Sequence, residues 1–170
     1  MKQILLLIGT LLIILAALAT ESIVSQLSDY RNDVTVSQIE LYSDLQQHKQ
    51  LLQAHFIPLI ETDPWINPEI LVDLKKQLYL RDVAMKQDDI PALYKAHQQV
   101  VTDIKVLMSS CIYMTHMDAV VTKIYSYNSH VAISMQNYTD SVQLYNQYQS
   151  NFPNFIVAWD FDFLPAKPLH

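Results

Sequence analysis

Apolar residues recur at steps of three and four along most of the chain, which is the period of a helix that buries one face. The first such stripe predicts one long helix that ends near residues 61–63. Pro58 falls in its last turn, where the missing amide N–H kinks or ends a helix. The positions of this stripe are Ile23, Leu27, Tyr30, Val34, Leu41, Leu45, Leu52 and Leu59.

Two shorter helices are predicted next, each marked by a capping residue and a proline. Asn67 and Pro68 begin the second helix, which runs to about Lys86. Asp88 or Asp89 caps the third helix, which has Pro91 in its first turn. The inward positions are Ile70, Leu71, Leu74, Leu78 and Met85 on the second helix, and Ile90, Leu93, Tyr94, Val100, Val101, Ile104 and Leu107 on the third.

A fourth, long helix follows a candidate turn at Ser109 and Ser110 and ends at residues 151–153. If that turn is absent, the third and fourth helices are continuous and the protein has three long helices. We expect the tail from Asn154, which is rich in aromatic residues, to pack on the helices without being helical throughout. The apolar face of the fourth helix consists of Met117, Val121, Ile124, Val131, Met135, Tyr138, Val142 and Tyr145.

The N-terminal segment is strongly apolar, because residues 3–20 carry no charge between Lys2 and Glu21. Its length is at the lower limit of the ~17–25 residues that cross a bilayer. Ala17-Leu18-Ala19 also fits a signal-peptide cleavage site, which leaves a cleaved leader as the alternative. We favour a retained anchor because the helical pattern continues past the segment without a break. Lys2 then places the N-terminus in the cytoplasm and the remaining domain outside it.

These elements predict an all-α protein, with an N-terminal membrane helix followed by an antiparallel bundle of three to four helices, the first and last of which are long. Residues 1–21 form the transmembrane anchor or uncleaved signal segment, 22–153 the bundle, and 154–170 a tail packed on it. Gly9 is the only glycine in the chain. Glycine-rich phosphate loops and two-residue hairpins are therefore excluded from the predicted bundle.

Charge and cysteine content narrow the possible functions. Charged residues make up 16% of the chain and the net charge is −6. The 11 basic residues form no cluster, which argues against nucleic-acid binding. Cys111 is the single cysteine, so it has no partner for an internal disulfide or for a paired-cysteine metal site. We expect it to be a buried, inert thiol.

Residues 138–146 and 152–158 contain a tyrosine, a valine four residues later, a Tyr-Asn pair, a Phe-Pro turn and an apolar segment that ends near a phenylalanine. This pattern resembles that of the LemA family. Residues 39–60 are similar to its opening helix. Glutamine and asparagine at 136 and 137 stand where the family has arginines, which marks a divergent member. The resemblance implies a single membrane helix, an antiparallel helical bundle and no established enzymatic activity.

The titratable residues form no recognisable catalytic set. A di-iron bundle needs Glu-x-x-His pairs, and none of the four glutamates precedes a histidine at that spacing. His48 and His55 lie seven residues apart on one predicted face, with His97 able to face them. We expect these histidines to be neutral and hydrogen-bonded, not zinc ligands. Cys111 and His116 lack an orienting third group. We therefore predict no enzymatic activity, no bound metal and no cofactor.

Tyrosine is abundant, and six of the ten fall in or next to the fourth helix. Interior packing with hydroxyls at the edge is their expected role, and a contact surface for a partner is the alternative. We predict an envelope scaffold or adaptor with a protein partner; a secreted or periplasmic ligand-binding bundle is the alternative. The residues assigned to a possible partner surface are Tyr138, Val142, Tyr145, Asn146, Phe152, Pro153, Trp159 and Phe161.

Overall fold

The computed structural model describes residues 2–110 and 118–169, and in this part of the chain there are helices and no β-strand. The predicted all-α class, with a long apolar N-terminal helix and a helical bundle, is confirmed. The elements are α1 (Lys2–Leu51), a π-helical turn (Leu52–Phe56), α2 (Ile57–Glu61), α3 (Pro68–Gln87), α4 (Ile90–Ser110), α5 (Asp118–Ser150) and α6 (Asn154–Asp160).

Ser109 and Ser110, where the sequence predicts a turn, are the last two residues of α4. The connection from α4 to α5 comprises residues 111–117 and lies outside the described residues. The expectations for Cys111 and His116, and the first apolar position of the fourth helix at Met117, lie there too.

A seven-residue repeat along α1 is shifted by one residue at the π-helical turn. Continuing the repeat would bury His55, but His55 is exposed and Phe56 is buried instead. The amide N–H of Ile57 bonds to the carbonyl of Leu52, five residues back, so this turn contains one residue more than an α-turn. The buried positions of the repeat before the turn are Leu27, Val34, Leu41 and His48.

The same shift corrects the end of the predicted first helix. Leu59 is exposed and Ile60 is fully buried, so the predicted inward position was wrong by one residue. Pro58 does not end the helix, which continues through α2 to Glu61. Pro58 has no N–H to donate to a carbonyl of the preceding turn, and the π-helical turn lies directly before it.

The predicted caps of α3 and α4 are confirmed. The side-chain oxygen of Asn67 accepts a hydrogen bond from the amide of Glu69 at 2.9 Å. The carboxylate of Asp89 accepts one from the amide of Ala92 at 3.1 Å. Asp88 takes the left-handed conformation, with φ of 52°, that commonly ends a helix. The Asp88 conformation and the Asp89 cap define the short connection between α3 and α4.

The chain forms two compact units. The first unit comprises residues 1–36 and 140–166, and the second unit comprises residues 37–139 and 167–170. The second unit contains a large apolar core supplied by the end of α1, the π-helical turn, α2, α3, α4 and α5. The members of this core include Leu52, Phe56, Ile60, Leu74, Leu78, Val100, Ile104, Leu107 and Ile124.

The N-terminal part of α1, in the first unit, is apolar and exposed. Leu7 and Ile13 are 71% and 70% exposed, whereas Leu27 is fully buried. Ile23 and Val24 are half-buried. By length and composition, this helix is able to cross a membrane.

Candidate functional site

The structure separates the eight residues of the predicted partner surface into an interior and an exposed group. Tyr138, Val142 and Tyr145 are buried, Asn146 is half-buried, and Phe152, Pro153, Trp159 and Phe161 are exposed. The buried group is therefore not an exposed contact surface. Its polar atoms bind this chain's own C-terminal tail.

In the first unit, side chains of α5 hold the backbone of the tail. The hydroxyl of Tyr145 donates to the carbonyl of Leu164 at 2.9 Å. The amide of Asn146 makes two bonds to Ala166: its nitrogen donates to the carbonyl at 2.9 Å, and its oxygen accepts from the backbone N–H at 2.8 Å. The side chain of Gln149 donates to the carbonyl of Phe163. These side chains satisfy backbone groups that the tail does not pair within itself.

In the second unit, Tyr138 binds the end of the tail. Its hydroxyl donates to the carbonyl of Lys167 at 2.7 Å. Burial, with the nearby Asp88 and Tyr42, raises the pKa of Tyr138 to about 12, so this hydroxyl keeps its proton and remains a donor. The ammonium of Lys167 binds the carbonyl and the carboxylate of Asp88 at 2.9 and 3.0 Å. The Tyr138 hydroxyl and the Lys167 ammonium thus both fix the chain end.

Asp88 accepts several hydrogen bonds in this region. Partial burial pushes the pKa of its carboxyl upward, but hydrogen bonds from Lys167, Gln38 and Tyr42 outweigh burial and hold it below its usual value. The carboxylate is therefore ionised at neutral pH. It links α1, the end of α3 and the chain terminus within the second unit.

A buried guanidinium lies between two imidazoles in the second unit. Arg81 of α3 is fully buried, as is His48 of α1, and His97 of α4 is almost so. One guanidinium nitrogen of Arg81 lies 3.3 Å from Nδ1 of His48 and 3.4 Å from Nδ1 of His97. Its other terminal nitrogen donates to the carbonyl of Leu45 at 2.9 Å. Among the described residues, no carboxylate lies within ion-pair distance of Arg81.

This geometry determines the protonation of the cluster. A guanidinium only donates, so Nδ1 of both His48 and His97 must accept, and each neutral ring carries its proton on Nε2. Burial first, and then the charge of Arg81, lower the pKa of both imidazoles to about 3. Burial also lowers the pKa of Arg81 to about 10, and Asp82 opposes that shift. At neutral pH the cluster carries one positive charge, on Arg81.

The cluster is a polar junction of three helices in the second unit. His55 is exposed because of the π-helical turn, so the prediction that it shares a face with His48 was wrong. Among the described residues, no group of three or more potential metal ligands comes together. Arg81 was missed from sequence, although its spacing after Leu74 and Leu78 puts it on the apolar face of α3.

Some buried polar atoms of the second unit have no hydrogen-bond partner among the described residues. They include Nε2 of His48, Nε of Arg81 and one carboxylate oxygen of Asp103. Burial raises the pKa of Asp103, partly offset by a hydrogen bond from Gln99 and reinforced by the charge of Asp73. A buried polar group without a partner costs about 1–3 kcal/mol, so these atoms oppose the stability that the apolar core of the second unit supplies.

An open groove of about 480 Å³ lies between α3 and α4, on the surface of the second unit. Small and branched apolar side chains form much of it, and glutamines and one lysine complete the lining. The groove is formed by Leu80, Val83, Ala84, Ala92 and Ala96, with Gln77, Gln87, Lys95 and Gln99.

Comparisons of the chain with protein-family models, with curated proteins and with solved structures give no match.

Proposed function

We propose that the protein is a membrane-anchored helical-bundle adaptor of the cell envelope, without enzymatic activity, and that it is a divergent member of the LemA family. The N-terminal part of α1 is the anchor, and the second unit presents the surface that binds a protein partner. The domain lies on the extracytoplasmic side of the membrane.

The single observation that carries this proposal is the change of environment along α1. The helix runs without a break from exposed aliphatic residues such as Leu7 to fully buried ones such as Leu27. Each large aliphatic side chain taken out of water contributes about 1.5–3 kcal/mol. An apolar helix surface of this length is therefore strongly favoured to enter a bilayer, and it is continuous with the buried residues of the same helix in the first unit.

The groove between α3 and α4 supports an adaptor role. Alanines at 84, 92 and 96 leave room for close approach of another helix, while Leu80 and Val83 supply apolar contact. The glutamine rim offers hydrogen bonds without a strong charge preference. An amphipathic helix of a partner fits a groove of this kind.

The anchor is tested by washing membranes of the native host at high pH and measuring the mass of the N-terminal peptide. We expect the protein to stay with the membrane and to retain Met1. A chain that begins near Thr20 and is released by the wash would contradict the proposal.

The partner surface is tested by site-specific photo-crosslinking in the same membranes. A crosslinker at Leu80, which is 41% exposed in the groove, should give a discrete adduct. The matched control is a crosslinker at Ile133, which is 59% exposed on α5 of the same unit and does not line the groove. Equal labelling from the two positions would count against a partner in the groove.

A secreted ligand-binding bundle is the second candidate. The size and apolar character of the α3–α4 groove favour it, because pockets of ~300–1,000 Å³ accommodate small ligands. Release of a processed chain in the wash experiment, together with loss of the Leu80 adduct, would place this candidate first.

A further inference from the structure

The short helix α6 and its flanking residues expose an unusual amount of aromatic and aliphatic surface in the first unit. Trp159 is 82% exposed, Phe152 is 78% exposed and Leu164 is 76% exposed. Phe155, Ile156 and Phe161 are each about half exposed. Such a concentration of exposed apolar side chains in one short segment marks an interaction site.

The exposed face is held in place by bonds on the inner face of α6. Val157 and Ala158 are buried, and the side chain of Asn154 donates to the carbonyl of Tyr148 at 2.9 Å. Backbone bonds then fold the chain back after α6, from Phe161 to Val157 at 3.0 Å and from Phe163 to Ala158 at 2.9 Å. The outward direction of Trp159 is therefore part of the fold of the first unit.

Contacts within the first unit set the level of α6 along α1. Tyr148, near the end of α5, hydrogen-bonds Gln26, and its ring centroid lies 5.2 Å from that of Tyr30. Arg31 acts electrostatically on Tyr145, three residues earlier in α5, so α5 runs antiparallel to α1 in this unit. The chain that leaves α5 at Ser150 is thus directed toward the apolar N-terminal part of α1.

The distance from this level to the apolar segment is short. Gln26 lies six residues after Thr20, the last residue of the uncharged stretch, which corresponds to about 9 Å along a helix. The headgroup region adds about 5–8 Å on each side of the hydrocarbon core. Aromatic side chains on α6 therefore fall at the boundary between hydrocarbon and water when α1 crosses a membrane.

We propose that the surface formed by residues 152–164 docks on the lipid interface of the membrane that α1 crosses. Tryptophan and phenylalanine partition into this interface, where the indole N–H of Trp159 finds lipid carbonyl groups. This inference rests on the proposed membrane anchoring. It adds a second membrane contact, which fixes how the first unit is tilted and rotated on the bilayer.

The charge of the surface selects the type of lipid. Asp160 and Asp162 lie within it, and no basic residue occurs between residues 152 and 164. An anionic bilayer would repel these carboxylates, whereas a zwitterionic interface would not. Phosphatidylcholine is therefore the appropriate probe.

The test uses tryptophan fluorescence of the full chain in phosphatidylcholine vesicles that carry a spin label at the top or deep in the acyl chain. The chain has two tryptophans, so Trp65→Phe leaves Trp159 as the only reporter. We expect blue-shifted emission, and greater loss of fluorescence with the shallow label than with the deep one. A control in the Trp65→Phe, Trp159→Phe background carries Leu144→Trp, an exposed position on α5 of the same unit.

Leu144 lies before Tyr148 on α5, farther from the apolar segment, so Leu144→Trp should not be quenched by either label. Leu11→Trp in the same background tests the anchor separately, and it should be quenched most strongly by the deep label. If Leu11→Trp is quenched and Trp159 is not, the interface inference is wrong while the anchor stands. If Leu11→Trp is not quenched, anchoring fails and the inference with it.

An aqueous quencher distinguishes lipid from protein as the cover of Trp159. Trp159 shielded from acrylamide but unaffected by the lipid labels would mean that a protein surface or a second copy of the chain covers it, which would overturn the inference. In vesicles, acrylamide quenching of Trp159 equal to that of the exposed Leu144→Trp control would also overturn it.

Discussion

Acidification should destabilise the second unit, because two buried imidazoles must stay neutral beside a buried guanidinium. Protonating Nδ1 of His48 or His97 turns the acceptor of an Arg81 hydrogen bond into a donor that faces another donor. Burial and the positive charge of Arg81 also oppose the imidazolium. The folded state thus resists a proton that the unfolded chain accepts readily.

The magnitude follows from the two pKa values. Each imidazole has a pKa of about 3 when folded and 6.5 when exposed, so stability is lost as the pH falls below 6.5 and the loss is complete near 3. Because pH 5 is about 1.5 units below the unfolded pKa, and each unit corresponds to about 1.4 kcal/mol, each histidine lowers the free energy of unfolding by about 2 kcal/mol there. The pair therefore accounts for about 4 kcal/mol between pH 8 and pH 5.

The assay is denaturant unfolding of the full chain in detergent micelles, followed by helical circular dichroism at pH 8 and pH 5. The His48→Asn, His97→Asn variant keeps an acceptor near each Nδ1 position and removes the titration. Its loss of stability on acidification should be smaller than that of the original chain by about 4 kcal/mol. His55→Asn is the matched control, because His55 is exposed and lies outside the cluster.

Equal acid sensitivity of the original chain and the double variant would refute the reasoning, because carboxylates common to both would then account for the whole effect. If the double variant does not fold, the single His97→Asn variant should show about half of the protection. A His55→Asn variant that protects as much as His97→Asn would also contradict the assigned geometry.

Two further predictions concern the helix register and the tail. Phe56→Ala should lower the free energy of unfolding by about 3–5 kcal/mol, and His55→Ala should lower it by less than about 0.5 kcal/mol, because the π-helical turn buries only Phe56. Similar losses for the two variants in denaturant unfolding would show that the shift in register is wrong. Asn146→Leu removes both hydrogen bonds to Ala166 and should release the tail. Limited proteolysis should then cleave the C-terminus faster than in the control Gln147→Leu, which changes an exposed residue. Equal cleavage rates would show that Asn146 does not fix the tail.

Several features of the fold could be predicted from sequence because their causes are local. The caps at Asn67 and Asp89 act within three residues, and the apolar period along α4 and α5 reflects a single helix face. The apolar segment before Glu21 could also be recognised from sequence, because length and hydropathy alone decide whether a helix is able to cross a bilayer. The buried face at Val131, Tyr138 and similar positions follows from the same periodicity.

The candidate sites were only partly predictable. Tyr145 and Asn146 were singled out by motif, but their partners are backbone atoms of a tail about twenty residues later, which no local pattern specifies. Trp159 was marked as a contact residue, and its exposure depends on which face of α6 packs inward. The spacing of residues indicates which side chains share a helix face, but it does not indicate which part of the chain packs against that face.

The amino-acid sequence alone determined that the chain is helical, that its N-terminus is apolar, and where α3 and α4 begin, because these properties depend on neighbours within a few residues. Only the tertiary structure decided the register after the π-helical turn and the meeting of His48, Arg81 and His97. Those three residues lie on three helices, and they come together only when long-range packing of apolar faces sets the helix alignment. Near Pro58 the seven-residue period gives way to the π-helical turn, and Phe56 and Ile60 are buried in the register that follows it.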